Sequence, residues 1–383
     1  MSQAHTQEGG DDILSIQELK LKFHTYAGEV SALDGIKLSI KKGELLGLVG
    51  ESGCGKSVTA LAIAGLLPPN AEVTGGDVVL DGKNVLALKP EEMRLARLKD
   101  IAMIFQDPMT YLNPVLTIGS QMAEITRAEP KLFVSTLVNY RLRQIDKQVE
   151  GTNPNPGLLA ERERLRHALE SQNLGRKELN ELTRSYAISL LRSVRLPEPE
   201  KVFEMYPFEL SGGMRQRVMI AMAMIRRPKL LLADEITTAL DVTVQAQILH
   251  LLKDLRSEIN TSVLLITHDL AIVAEVCDRV AVMYAGNIVE IAEVHELFRN
   301  PLHPYSKGLL ASVPRADLTR TPDSIEGSVP DLLSPPSGCR FHPRCPKAFE
   351  VCPSRKPSMI EVAPDHYVSC FLYGGLNGKN NNT

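Results

Sequence analysis

Hydrophobic and polar positions fall into two blocks of alternating strand and helix signals, separated by a long charged stretch and followed by an irregular tail. Ile13 to Phe23 alternates apolar and polar residues, the period of a half-buried strand, and Val30 to Ile40 predicts a second. Glu44 to Val49 is nearly all apolar, which predicts a central strand covered on both faces. From Ser57 to Leu67 the spacing turns helical, and Pro68-Pro69 is placed to end that helix. Gly76 to Leu86 predicts a hairpin about Asp81-Gly82. The second block runs from Ser211 to Ile291, with apolar strands predicted at Lys229 to Ala233, Ser262 to Thr267 and Arg279 to Tyr284. Between the blocks, Leu158 to Arg192 is rich in Glu, Arg, Leu and Ala, the composition of long exposed helices, while Gly151 to Gly157 is a Pro/Asn/Gly loop. The pattern is that of an α/β protein, and beyond Pro301 a proline-rich, irregular module follows.

Composition narrows the possibilities. A chain of 383 residues can bury a large core, as one big domain with additions or as two domains. With 44% hydrophobic and 23% charged residues and a net charge of -3, it has no basic excess to argue for nucleic acid as main ligand. Met1 to Asp12 is polar and acidic, without the cationic start and apolar run of a secretory signal, so a cytosolic chain is expected. The longest apolar stretches, such as Val218 to Ile225, fall short of the roughly 20 residues that span a bilayer, so any membrane role is expected to run through partner subunits. Of the six cysteines, Cys54 and Cys277 are isolated and Cys339, Cys345, Cys352 and Cys370 gather near the C-terminus. Structural disulfides are rare in a reducing cytosol, so that cluster calls for another explanation.

Gly50-Glu51-Ser52-Gly53-Cys54-Gly55-Lys56-Ser57 matches G-x-x-x-x-G-K-[ST], between an apolar strand and a helix that continues with Val58. Glycines there let consecutive backbone N–H groups curl around phosphate oxygens, at a helix N-terminus whose dipole favours anions. Lys56 is expected on the β- and γ-phosphates and the Ser57 hydroxyl on Mg²⁺. Cys54 occupies a variable position and is given no redox role. The pattern occurs once, so one nucleotide core per chain is expected. Leu230-Leu231-Leu232-Ala233-Asp234-Glu235 is an apolar strand ending in two carboxylates. Alone, such a pair is usually the solvated end of a strand. Downstream of a phosphate loop, Asp234 is placed to hold magnesium through water and Glu235 to act as general base on the attacking water.

Leu210-Ser211-Gly212-Gly213-Met214-Arg215-Gln216-Arg217 resembles the signature motif of the ABC ATPases, upstream of Asp234 as in that family. The resemblance implies a P-loop NTPase of the ABC type, with a RecA-like core, an antiparallel β subdomain and a helical subdomain. It further implies that Ser211, Gly212, Gly213 and Gln216 act in trans, on ATP held by another subunit's phosphate loop, so that the working unit is a dimer. Gln106 resembles the glutamine that reaches magnesium and senses the γ-phosphate, and His268 the switch histidine that orients the catalytic water. Thr238-Ala239-Leu240-Asp241 resembles the loop that communicates across the dimer. Adenine is expected to stack on Tyr26, with Phe23 the other aromatic candidate. The implied ligands are ATP and Mg²⁺, the metal on Ser57, Gln106 and Asp234. One departure stands out: Ile236 occupies the place where the family usually has proline, and without a fixed φ there Glu235 is expected to be held less rigidly.

The tail points to a branch. Asn300-Pro301-Leu302-His303-Pro304-Tyr305-Ser306-Lys307-Gly308-Leu309-Leu310, and Gly338-Cys339-Arg340-Phe341-His342-Pro343-Arg344-Cys345-Pro346, resemble segments typical of the ATPases of oligopeptide/dipeptide and nickel importers. The expected organisation is a flexible stretch over 1–12, an ABC ATPase domain over 13–300 and a C-terminal cysteine-rich module over 301–383. The helical subdomain is expected at about 107–225, with an insertion at about 128–182 that reads as a partner contact or, preferably, as a charged solvated hairpin. The cysteines follow C-x5-C-x6-C-x17-C, and thiolates suit zinc or an iron-sulfur cluster. The resemblance favours a [4Fe-4S] cluster as a structural staple, with zinc second. It also implies a second, paralogous ATPase subunit, two membrane permeases, an extracellular solute-binding protein met only indirectly, no nucleic acid, and a peripheral place on the cytoplasmic face of the membrane. A soluble ABC-type ATPase acting on ribosomes or DNA is the alternative, and the transported solute is not written in this chain.

Overall fold

The computed structural model describes residues 11–149, 155–237, 241–312 and 325–374. Its strands are β1 (Asp12–Thr25), β2 (Gly28–Lys41), β3 (Leu45–Val49), β4 (Ala71–Leu80), β5 (Lys83–Asn84), β6 (Ile101–Ile104), β7 (Leu230–Asp234), β8 (Ser262–Thr267), β9 (Arg279–Tyr284), β10 (Asn287–Glu293), β11 (Ile360–Ala363) and β12 (His366–Val368). The chain divides into two compact units, one of Met1–Arg94, Lys229–Glu235 and Arg256–Thr383, the other of Leu95–Pro228 and Ile236–Leu255.

The first unit holds two sheets. In the antiparallel one the order is β2-β1-β4-β5, and the turn joining β4 to β5 is Asp81-Gly82, both residues at positive φ (45° and 79°) as a tight hairpin requires. In the other the unit's strands run β11-β12-β10-β9-β3-β8-β7. There β3 lies parallel between β8 and β9, and β7 runs parallel to β8. Every residue of β3, β7 and β8 is buried, as a strand covered on both faces demands, which is why these segments read as unbroken apolar runs. The tail extends this sheet, with Glu290 and Ile291 of β10 opposite Val368 and Tyr367 of β12.

The helix Lys56–Ala64 follows β3 and ends earlier than Pro68-Pro69 would place it. Gly65 stops it by entering the left-handed region at φ 61°, returning its N–H to Ala62 and Leu61. A side chain there would meet Met93 at 2.9 Å, so glycine serves both conformation and packing.

The second unit is largely helical: Ile118–Ala128, Pro130–Val149, Pro156–Ser171, Arg176–Ser193, Pro199–Glu204 and Gly212–Met224. The stretch expected at 128–182 as a solvated hairpin is instead packed. Phe133, Val134, Leu137, Val138 and Ile145 are buried, as are Leu165, Leu179, Leu182 and Tyr186. A buried Thr126–Thr183 hydroxyl pair at 3.1 Å and a Tyr140–Tyr186 ring contact at 5.0 Å tie these helices together. Charges on their outer faces, such as the Arg141–Glu161 pair, hide the apolar stripe from a composition-based reading. The Pro/Asn/Gly loop between Pro130–Val149 and Pro156–Ser171 lies partly outside the described residues.

Candidate nucleotide-binding site

The phosphate loop leaves the end of β3 and enters the helix Lys56–Ala64, so its conformation is dictated by backbone crowding. Gly50 lies at φ 155°, where a Cβ would fall 2.1 Å from the carbonyl oxygen of Met283. Gly55, the left-handed N-cap at φ 110°, is closed in by Leu33 and the carbonyl of Ala32. No side chain fits at either position. Ser52, Gly53 and Ser57 face solvent, Val58 is half-buried, and Cys54, Gly55 and Lys56 are buried beneath them. Burial pushes the Cys54 thiol up, which agrees with an inert packing role.

Lys56 is only 5% exposed, and its ammonium donates to the carbonyl oxygens of Gly50 (2.8 Å) and Glu51 (3.0 Å). Those bonds hold the cation inside the loop, where phosphate oxygens can replace the carbonyls as acceptors. Ser57 donates its hydroxyl to Asp234 Oδ1 at 3.1 Å, which brings together two residues expected to share a magnesium ion. Asp234 is buried at the end of β7. Burial raises its pKa, only partly opposed by the Ser57 hydrogen bond, while neighbouring Glu235 raises it further. A hard divalent cation would relieve that desolvated carboxylate.

Glu235 comes next, in the left-handed region at φ 47°, and its N–H donates to the Ile266 carbonyl at 2.9 Å. Its Oε1 lies 3.4 Å from Nδ1 of His268, which stands just beyond β8. Parallel pairing of β7 with β8 therefore delivers general-base candidate and histidine to the same edge. Ile236, where proline was expected, is buried, so packing restrains the residue after Glu235. Tyr26, by contrast, sits at the β1–β2 turn fully exposed (114%), and its ring makes no aromatic contact among the described residues. Phe23 lies within β1 opposite Val30.

The remaining sequence-predicted residues belong to the second unit. Gln106 is exposed just past β6. Ser211 caps the helix Gly212–Met224, its hydroxyl accepting from the Met214 N–H at 3.4 Å, and Gly213 is pressed against Val244, which a Cβ would meet at 2.8 Å. Gln216 is 2% exposed, with its amide nitrogen unpaired among the described residues. Asp241 accepts from the Val244 N–H at 2.9 Å, the role of a helix cap. Thr238, Ala239 and Leu240 lie outside the described residues.

The four tail cysteines are free thiols, and all four line one small enclosed cavity with His303, Phe341, Phe349 and Phe371. Burial pushes Cys339 up to about 11 and raises Cys345 and Cys370. The expected metal site is not assembled as such: among the described residues no three His, Cys, Asp or Glu side chains are grouped to hold one ion. Packing brings the sulfurs around a shared space without gathering them on a single centre. Sequence reasoning passed over the link between this module and the loop. Tyr305 and Arg344 both contact Glu51, a position the loop motif leaves open.

The profile of the family described as ABC transporter matches residues 33–238, and that described as Oligopeptide/dipeptide transporter, C-terminal region, matches 289–352. The chain is 45% identical over 366 residues to the dipeptide transport ATP-binding protein DppD of Bacillus subtilis, covering 94% of this chain and 95% of that one. It is 42% identical to the oligopeptide transport ATP-binding protein OppD of Escherichia coli, covering 95% and 94%. Among solved structures, an ATP-binding cassette determined as a dimer in a post-hydrolysis state with ADP and Pi shares the fold at TM-score 0.54 and 24% identity, covering 73% of this chain and 98% of that one.

Proposed function

The chain belongs to the ABC transporter family and carries the C-terminal region of its oligopeptide/dipeptide transporters, and from that premise we propose that it is the subunit that binds and hydrolyses ATP to drive a peptide importer. The observation that carries this reading is the convergence, on one edge of the parallel strands, of Lys56, Ser57, Asp234, Glu235 and His268. The triphosphate binds the amides of residues 50–57 and the Lys56 ammonium. Ser57 and Asp234, with Gln106, would hold a magnesium ion, which would supply charge neutralisation on the phosphates. Glu235 accepts a proton from water as its oxygen bonds to the γ-phosphorus, the bond to ADP breaks, and His268 orients that water. Tyr26 is assigned to the adenine. Ser211, Gly212, Gly213, Gln216 and Asp241 serve the facing subunit's nucleotide, so the ATPase works as a dimer, with a paralogous second chain.

Among the described residues no helix is long and apolar enough to cross a membrane, and partner permeases supply the membrane path. The subunit then sits peripherally on the cytoplasmic face, its second unit docking on the permeases. A [4Fe-4S] cluster, with zinc as second choice, is the group we assign to Cys339, Cys345, Cys352 and Cys370, whose thiols would hold it from the walls of one cavity. It would staple a module poor in regular structure. The test is co-purification and transport. The chain should assemble with permeases in membranes and support ATP-dependent peptide uptake that Lys56→Ala abolishes. Sedimentation with ribosomes or DNA instead, with no permease bound, would overturn the importer reading.

A further inference from the structure

The cysteine-bearing tail reaches the phosphate loop at Glu51. From one side, Arg344, the residue before Cys345, grips its carboxylate with both arms of the guanidinium, at 2.8 Å to Oε2 and 3.1 Å to Oε1. That side chain is 6% exposed and is itself oriented by the Ile325 and Glu326 carbonyls and the Tyr284 hydroxyl. From the other side, the fully buried Tyr305 accepts the Glu51 backbone N–H at 3.0 Å. Tyr305 belongs to the helix capped by His303, which faces the thiol cavity. Its ring packs against Tyr284 and Phe341 at 4.6 and 5.4 Å. A third tie is less direct. Arg340, next to Cys339, donates to the Ala285 carbonyl at 2.6 Å, and the following N–H, that of Gly286, donates to the Cys54 carbonyl at 2.8 Å.

Two physical consequences meet at Glu51. Its carboxylate stands in the loop that is to receive a triphosphate, and a bare carboxylate there would repel the ligand; a buried bidentate guanidinium cancels the charge. Its carbonyl also holds Lys56. When the ammonium turns to phosphate, the loop loses that internal support and must be held from outside to keep its amides converged.

We propose that Arg344 and Tyr305 are positioning residues of the nucleotide site, neutralising and pinning Glu51 so that the cysteine-bearing tail forms part of the phosphate cradle. This rests on the reading of residues 50–57 as the ATP site. The test is the affinity of the full-length chain for fluorescent trinitrophenyl-ATP with Mg²⁺, iron and sulfide being assayed in each variant. Arg344→Gln should raise Kd about tenfold, and Tyr305→Phe about threefold. Adding Glu51→Gln to Arg344→Gln should return Kd to within about threefold of wild type, because the uncompensated charge is gone. In the assembled transporter, Arg344→Gln should raise the KM for ATP by a similar factor with kcat within about twofold. An unchanged Kd in Arg344→Gln overturns the proposal, as does a double variant no better than the single, or a loss confined to kcat. Should Arg344→Gln not fold, Arg344→Met, which keeps the length and apolar stem but not the charge, takes its place under the same rules. Wild-type affinity in Lys56→Ala would instead defeat the ATP-site reading, whatever Arg344 does.

Discussion

The phosphate loop and the cysteine-bearing tail lie in one unit and meet at Glu51, but they are built by opposite means. Residues 50–57 are shaped by the backbone: a buried parallel strand fixes where the loop begins, a helix fixes where it ends, and Gly50 and Gly55 fit where no Cβ can. The tail around the cysteines is short of helix and strand, and side chains hold it: Arg340 and Arg344 on loop carbonyls and Glu51, and His366 at 2.8 Å from the buried Glu290. Backbone-built sites repeat as short strings, because only a few residue types fit. Sites held by side chains can be closed by residues far apart in sequence, and the Arg344–Glu51 pair spans 293 positions.

That contrast predicts effects of graded size. The largest belongs to the backbone-built site. Gly50→Ala forces a Cβ to 2.1 Å from a main-chain oxygen, and nucleotide affinity should fall by about 100-fold or more. Near-normal binding would show that the loop is not set by its backbone. Next comes the cavity. With the cluster proposed for the tail, Cys339→Ser should lose iron and lower the melting temperature by about 5 °C. An unaltered melting curve together with lost iron would deny the staple role.

The smallest effect is one of pH. Burial holds His303 neutral, with its pKa lowered to about 4 from an ordinary 6.5. The unfolded chain therefore binds more protons than the folded one between those values, and stability is lost as pH falls through that window. From pH 7 to 5.5 the loss should be about 1 kcal/mol. His303→Asn, which keeps an acceptor for the Tyr305 N–H, should remove that part of the pH dependence when unfolding is followed by denaturant titration.

Legibility in the sequence followed the same divide. Ser262–Thr267 and Arg279–Tyr284 are strands to the residue, because a run buried on both faces cannot alternate. The loop, Asp234, Glu235 and His268 come together through β3, β7 and β8, whose apolar runs advertise them. The helix after the loop is shorter than its apolar spacing predicts because Gly65, not the prolines, supplies the stop. The buried stripe of Phe133, Leu137 and Ile145 went unseen behind the charges on the opposite face. Arg344 and Tyr305 carry no local signal at all, since their partner is set by tertiary packing.

ATP hydrolysis by the purified transporter containing Glu235→Gln tests the central claim most directly, because that change removes the base while leaving Lys56, Ser57 and Asp234 in place. Turnover should fall by about 100-fold or more while MgATP still binds and accumulates unhydrolysed on the closed dimer. Hydrolysis at the wild-type rate would contradict the assignment of Glu235 and, with it, the chemistry placed at this edge of the sheet.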